Sequence, residues 1–444
     1  MALCRCSTTE AENSLLCFFD FFFCPCGPAV PHRCHSNRNM AADTTVNKTF
    51  AAFYQEFCVQ LKININKDVL EILDKTFKSG SVCLSRTFTL DLPGNGGRRA
   101  QRLEDEDVLV LSKCLQNDGR VTGLDVSYNN ISDGGAKHLA DALQLSSSAL
   151  KFLDLKFNNI QADGAEFLAN SLKSNSSLLS LSLSGNRFGD RGGVSMSRML
   201  QVNSTLQMLQ LSDCNLADRS VAALGAALNR NTALQALDIS RPLLFSRQEE
   251  WAVHFSQMLT VNCSLLELHL GRMGLTDSGM ETLAEGLTRN RSLRYLDLRC
   301  NRVTRDGAHH LAEVLKQSKT LEIIDLSSNR IEDEGAVHLS EAMATHGCSL
   351  KELSVCRNCI RTEGLLSLAQ AVKHNQSLTH IYVWGNRLDE PVCQVFSELI
   401  SSGRLLPEHT DVSPYQVDGR LFLAQVFQGL RKQICCIDRD HKRT

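Results

Sequence analysis

Cys356 and Cys359 stand three residues apart, the spacing in which one thiolate attacks a disulfide and a second resolves it. His309, His310 and His338 carry ring nitrogens of the kind that bind metals or move protons. Six more thiols crowd the start of the chain, as Cys4, Cys6, Cys17, Cys24, Cys26 and Cys34. A different chemistry belongs to Tyr295, Tyr382, Trp384, Arg299 and Arg357, interleaved with Asp297 and Asp325. Aromatics and arginines carry a large share of the affinity in protein interfaces, and carboxylates set their register. Which of these chemistries is available depends on the elements that hold the residues.

Those elements recur. The stretches "VTGLDVSYNNI" from 121, "LKFLDLKFNNI" from 150 and "LLSLSLSGNRF" from 178 open a series of ten, which closes with "LTHIYVWGNRL" from 378. Starts are 28 or 29 residues apart, except for one step of 31. Such a period signifies one supersecondary unit stacked on itself. The template is L-x-x-L-x-L-x-x-N-x-L, with leucines at positions 1, 4 and 6 and the apolar residue at 11 entering a core. The asparagine at 9 is placed to bond backbone groups of neighbouring turns. Segments such as "SDGGAKHLADAL" and "RDGAHHLAEVL" follow with helical spacing. Asp133, Asp163, Asp190, Asp218, Asp277, Asp306, Asp333 and Asp389 stand where a helix N-cap is wanted.

This unit resembles the long leucine-rich repeat of the ribonuclease-inhibitor family, in which a full α-helix follows each strand. The expected fold is an α/β leucine-rich repeat solenoid, a horseshoe with a parallel β-sheet on the concave face and α-helices on the convex face. We divide the chain into a cysteine-rich leader at 1–39, a helical N-terminal cap at 40–86, repeats at 87–403, and a C-terminal hairpin with a basic tail at 404–444. "RTFTLDLPGNGG", from 86, reads as a degenerate first repeat with Leu90, Leu92 and Asn95 in register. In the N-terminal cap, Phe50, Phe53, Tyr54, Phe57 and Leu61 share one helix face, and Asp68 opens a second helix. Asp418-Gly419 is a hairpin turn signal, and the hairpin is expected to cover the last edge of the sheet.

The frame disposes of most of the first chemistry. Cys356 and Cys359 fall at template positions 7 and 10, after a strand and away from a helix start, so they read as structural. His309, His310 and His338 lie on outward helix faces with no carboxylate or thiol recurring beside them at ligand spacing. The leader thiols match no zinc module, Met40 reads as an ordinary start, and scattered thiols suit a reducing compartment. No cofactor, metal or catalytic motif is expected. A net charge of −2 gives no general pull toward nucleic acid or anionic membrane, and a monomer is expected.

The inner wall remains, because the core does not claim the side chains at positions 3, 5, 7 and 8. Position 5 carries an acidic row including Asp125, Asp154, Asp238, Asp297 and Asp325. Arg272, Arg299, Arg302, Arg330, Arg357 and Arg387 form a ridge at the C-terminal ends of the last strands. Lys156 and Arg299 are placed to neutralise Asp154 and Asp297 locally. Trp384 is either an interface anchor or the seat of the C-terminal cap. In the middle of the array, Cys214, Pro242 and Met273 replace the asparagine, so its ladder must break at Pro242, with a change of curvature expected there.

The reading is a non-enzymatic scaffold or adaptor that binds a protein partner through Tyr295, Asp297, Arg299, Asp325, Arg357, Tyr382 and Trp384. The repeat class also implies regulation of a small GTPase, although the acidic tail of Ran's GTPase-activating protein is absent, and ribonuclease inhibition, which needs a longer acidic and aromatic wall. The chain is further similar to a narrower vertebrate group in its helical region from Met40, its repeat count and its closing "TDVSPYQVDGRLFLAQV". That resemblance implies a nuclear, often nucleolar, and cytoplasmic protein of pluripotent and germ cells.

Overall fold

The computed structural model describes residues 49–78, 87–95, 101–145, 148–244 and 249–430. The cysteine-rich leader, the start at Met40, the insertion behind the degenerate repeat and the basic tail lie outside them.

Among the described residues, two helices, α1 (Phe50–Leu61) and α2 (Lys67–Lys78), precede strand β1 (Phe88–Asp91) and helix α3 (Asp105–Asn117). Strand and helix then alternate as β2 (Val121–Asp125), α4 (Asp133–Leu143), β3 (Phe152–Asp154), α5 (Ala162–Leu172), β4 (Ser180–Ser182) and α6 (Gly189–Leu200). The middle repeats give β5 (Met208–Gln210), α7 (Asp218–Leu228), β6 (Ala236–Asp238), α8 (Glu250–Val261), β7 (Glu267–His269) and α9 (Asp277–Arg289). The last are β8 (Tyr295–Asp297), α10 (Arg305–Gln317), β9 (Ile323–Asp325), α11 (Glu332–Ala344), β10 (Glu352–Ser354), α12 (Thr362–His374), β11 (His380–Tyr382) and α13 (Glu390–Ser401). β1 to β11 form one parallel sheet in sequential order. This is the expected solenoid.

Most of these strands hold three residues, too few to be stable alone. The core supports them: Leu150, Leu153 and Leu155 of one unit, and Leu293, Leu296 and Leu298 of another, are all at most 4% exposed. Each such burial contributes roughly 1.5–3 kcal/mol. The asparagine ladder runs as expected. Fully buried Asn186 donates to the carbonyls of Leu155 and Leu183 at 2.9 and 2.7 Å and accepts the Ile160 N–H at 3.1 Å. Asn129, Asn158, Asn301, Asn329, Asn358 and Asn386 repeat the pattern. Cys214 substitutes with a thiol 3.2 Å from the Leu183 carbonyl. Asn95 of the degenerate repeat is exposed, and the ladder begins at Asn129.

A second ladder runs along the opposite edge, three residues before each unit's first leucine. Asn175, Asn203, Asn231, Asn262, Asn290 and Asn375 donate to the carbonyl at the end of the preceding repeat's helix, as Asn290 does to Leu259 at 2.9 Å. Each also accepts backbone N–H groups two and three residues on, as Asn290 does from Ser292 and Leu293.

The helix-start aspartates differ from expectation. Asp389 alone stands at a cap position; Asp133, Asp218 and Asp277 are the first helical residue, and Asp163, Asp190, Asp306 and Asp333 the second. From there most of the carboxylates reach the next repeat. Asp133 accepts the Gln161 N–H, Asp190 that of Ser220, and Asp277 those of Thr304 and Gly307. Asp333 accepts from Arg361 and Gly364. Each such helix therefore receives its cap from the preceding one, and the acid also opposes the positive end of its own helix. Gly307 is small because a Cβ there would meet Asp277 Oδ1 at 2.5 Å. In the irregular fifth repeat, Glu249 takes over, accepting the Thr276 N–H at 2.8 Å.

At the C-terminal end, the hairpin forms as β12 (Val412–Val417) and β13 (Arg420–Gln425), with Asp418 and Gly419 both at positive φ. It packs mainly on α13 and does not cover the sheet edge. The segment before it does: Thr410 pairs with Ile381, and the Asp411 carboxylate accepts the N–H groups of Val383 and Trp384 at 2.9 and 3.1 Å. A carboxylate satisfies the edge donors that a further strand would otherwise have taken.

Candidate protein-binding face

Register places the inner-wall residues in two rows. Position 5 runs Asp238, His269, Asp297, Asp325, Ser354, Tyr382, each paired with the next across the sheet. Position 3 runs Glu267, Tyr295, Ile323, Glu352, His380 in the same way.

The acids of position 5 have a structural duty that the template did not disclose. Asp125, Asp154, Asp238, Asp297 and Asp325 each accept the backbone N–H two residues on, at 2.9–3.1 Å. Position 5 is thus partly claimed by the turn that ends the strand, as an Asx turn claims its aspartate. The expected local neutralisation is present as well: Lys156 Nζ lies 2.7 Å from Asp154, and Arg299 Nε 3.1 Å from Asp297.

Burial divides the candidate residues. Tyr295 and Tyr382 are each 3% exposed, Asp297 0% and Asp325 7%. Arg299 and Arg357 are exposed, and Trp384 is half-buried against the core. Tyr295 meets the His269 ring edge-on at 4.8 Å. His269 lies between two carboxylates, 3.4 Å from Asp297 and 3.5 Å from Glu267. Burial works against its charged form, but these two acids outweigh it and push its pKa up to about 10. Burial and the neighbouring Asp297 push Asp325 up, and burial followed by Asp297 and Asp325 pushes the Tyr295 hydroxyl well above its ordinary range. Beneath the rim the face is a packed, charged floor, with Arg299 and Arg357 standing out of it.

The exposed part is the ridge itself. Arg272, Arg302, Arg330, Arg357 and Arg387 are exposed, and no ion pair forms at any of them among the described residues. Trp384 is half-buried against the core, and its backbone N–H donates to Asp411. The other tryptophan, Trp251, is core.

Neither of the remaining motifs forms a site. Cys356 is half-buried and donates to Asp411 at 3.0 Å; burial, then the Asp411 charge, pushes its thiol up to about 12, while Cys359 is exposed. His309 and His338 meet at 4.8 Å on α10 and α11. Among the described residues no group of His, Cys, Asp and Glu could hold a metal, and no helix is long and apolar enough to cross a membrane.

A family model described as leucine-rich repeat matches residues 121–140, 146–169, 174–197, 202–225, 261–284, 289–312, 317–340 and 346–369. The unmatched interval, 226–260, contains Pro242 and the long loop. The chain is 50% identical over 380 residues to leucine-rich repeat-containing protein 34 of Homo sapiens, covering 85% of this chain and 82% of that one. The Mus musculus protein of the same name is 47% identical over 194 residues, 44% of this chain and 47% of its own. Among solved structures, the Rad7 and Elc1 complex in yeast aligns at 16% identity over 79% of this chain and 84% of that one, with a TM-score of 0.40.

Proposed function

Since this chain belongs to the family of leucine-rich repeat-containing protein 34, we propose that it works as a non-enzymatic scaffold that holds a protein partner along the C-terminal rim of its inner sheet. Arg299, Arg357 and Trp384 make the contact, and Tyr295, Asp297, Asp325 and Tyr382 form the floor that fixes them. The observation that carries this is the line of exposed guanidiniums over a floor of buried acids, with Arg299 paired to Asp297 and the others in no ion pair among the described residues. Arginine at a rigid surface loses little freedom on binding and presents several donors in a fixed fork. A nuclear and nucleolar as well as cytoplasmic location in pluripotent or germ cells accompanies this reading and rests on family membership alone.

Quantitative affinity purification from a native lysate tests it, comparing wild type with Arg299→Glu/Arg357→Glu. Arg357 is exposed and unpaired, whereas Arg299 lies 3.1 Å from fully buried Asp297, so a thermal melt establishes that the double variant is folded before recovery is read, and Arg357→Glu alone repeats the comparison. Partners recovered by wild type are lost from the double variant and retained by Arg198→Glu, which alters an exposed arginine on helix α6. Equal recovery by the double variant sinks the assignment.

A further inference from the structure

The first repeats carry a feature that the ridge does not include. At template position 8, later repeats have Asp213, Arg241, Arg272, Cys300, Ser328, Arg357 and Gly385, whereas the first two have Tyr128 and Phe157. Their rings stack at 4.8 Å with 18° between planes. Both residues sit at positive φ, 61° and 53°, which is costly for bulky side chains. Gly185 backs the second ring so closely that a Cβ there would collide with Phe157 Cδ1. Phe157 is nevertheless 45% exposed. The fold holds an aromatic platform rigidly and leaves it open to solvent.

Beside it lies an open cleft of about 540 Å³, lined by Phe157, Asn158, Asn159, Gln161, Gly185 and Arg187. Asn158 belongs to the ladder. The side chains of Asn159, Gln161 and Arg187 are exposed and form no hydrogen bond or ion pair among the described residues. Neighbouring cations are engaged, Lys156 with Asp154 and Arg191 with Asp163 and Glu166. Arg187 is therefore an uncommitted guanidinium facing the same cleft as an exposed ring. A carboxylate fits the guanidinium fork bidentately, the two amides add donors, and the ring covers an apolar side chain next to that carboxylate.

We propose that the Phe157–Arg187 cleft is a second docking site, separate from the arginine rim, for a protein segment that places an aspartate or glutamate beside an aromatic or aliphatic residue. A random seven-residue peptide display selection on the full chain tests it. The expected winners carry Asp or Glu within two residues of Phe, Tyr, Trp or Leu. A synthetic winner, followed by fluorescence anisotropy, loses about tenfold or more in affinity with Arg187→Gln and with Phe157→Ala, keeps most of it with Phe157→Leu, and is unaffected by Arg357→Glu. Lack of enrichment, enrichment of basic peptides, or binding lost with Arg357→Glu but not with Arg187→Gln overturns the proposal. So does a ten-nucleotide oligouridylate that binds through Phe157 and Arg187 more tightly than any selected peptide, because ring and cation then serve base and phosphate.

Discussion

Asp277 accepts the backbone N–H of Thr304, 27 residues later in the chain, at 2.8 Å. Its Oδ1 also takes the Gly307 N–H at 2.9 Å, so two of the orphan donors at the start of α10 are satisfied from α9. Asp306, one position into α10, has only the exposed Arg305 beside it, at 3.7 Å. Asp277→Ala should therefore cost about 1–2 kcal/mol, and Asp306→Ala close to nothing. Urea unfolding of the two variants separates them, and equal costs would refute capping across repeats.

The two asparagine ladders make a similar demand. Asn186→Ala leaves the Ile160 N–H without its acceptor and takes one donor each from the Leu155 and Leu183 carbonyls, while Asn290→Ala strips the N–H groups of Ser292 and Leu293 and takes one donor each from the Leu259 and Asn262 carbonyls. Each should lose about 1–3 kcal/mol, because a buried N–H left without a partner costs its full desolvation. Thermal melts read by circular dichroism measure it. A loss below about 1 kcal/mol in either variant would mean that water replaces the amide without penalty.

His269 gives a pH dependence of definite sign. Its folded pKa, about 10, is raised above the ordinary histidine value of 6.5, so the charged ring stabilises the fold fully below pH 6.5, and that contribution is lost as pH rises through 10. Against His269→Gln, wild type should be more stable by on the order of 3 kcal/mol near pH 6, with the gap closing toward pH 10. Guanidinium titrations at a series of pH values test this. A gap that widens with pH would reverse the assignment.

The thiols should differ in reactivity. Alkylation proceeds through the thiolate, and Cys356, with its pKa pushed up to about 12 by burial and Asp411, offers little of it near neutrality. Exposed Cys359 and Cys263 should react with a maleimide at pH 7.5 at least about tenfold faster than Cys356. Peptide mapping by mass spectrometry gives the order. Rapid labelling of Cys356 would revive a dithiol role for the pair.

Leucine spacing disclosed the strands, the core and the first ladder, since each answers to a period that one sequence displays. The second ladder is equally visible, as the Asn in "NSSL", "NSTL", "NCSL" and "NRSL", but it lies outside the L-x-x-L-x-L template, three residues before the first leucine. Position marks Asp133, Asp190, Asp277 and Asp333 as capping residues but not the helix they cap, because spacing along the chain cannot reveal a partner one repeat away. The inner wall was legible only in part. Alternation tells which face Tyr295 and Tyr382 take, but not how much of that face is left to water. Nor did it show that Asp297 and Asp325 also serve their own turns.

Transfer of helix caps from one repeat to its successor, seen at Asp133, Asp190, Asp277 and Asp333, gives the array a direction. At those repeats a chain leaving the ribosome brings the new helix start to a carboxylate already in place, so assembly can proceed vectorially from the amino end. Shortening the protein from its carboxyl end takes away the asparagine that receives an N–H of the preceding turn and the Asp411 cover of the last strand, whereas removing repeats from the front strips the next helix of its acceptor. The two kinds of truncation therefore injure different parts of the unit, the strand turn at one end and the helix start at the other.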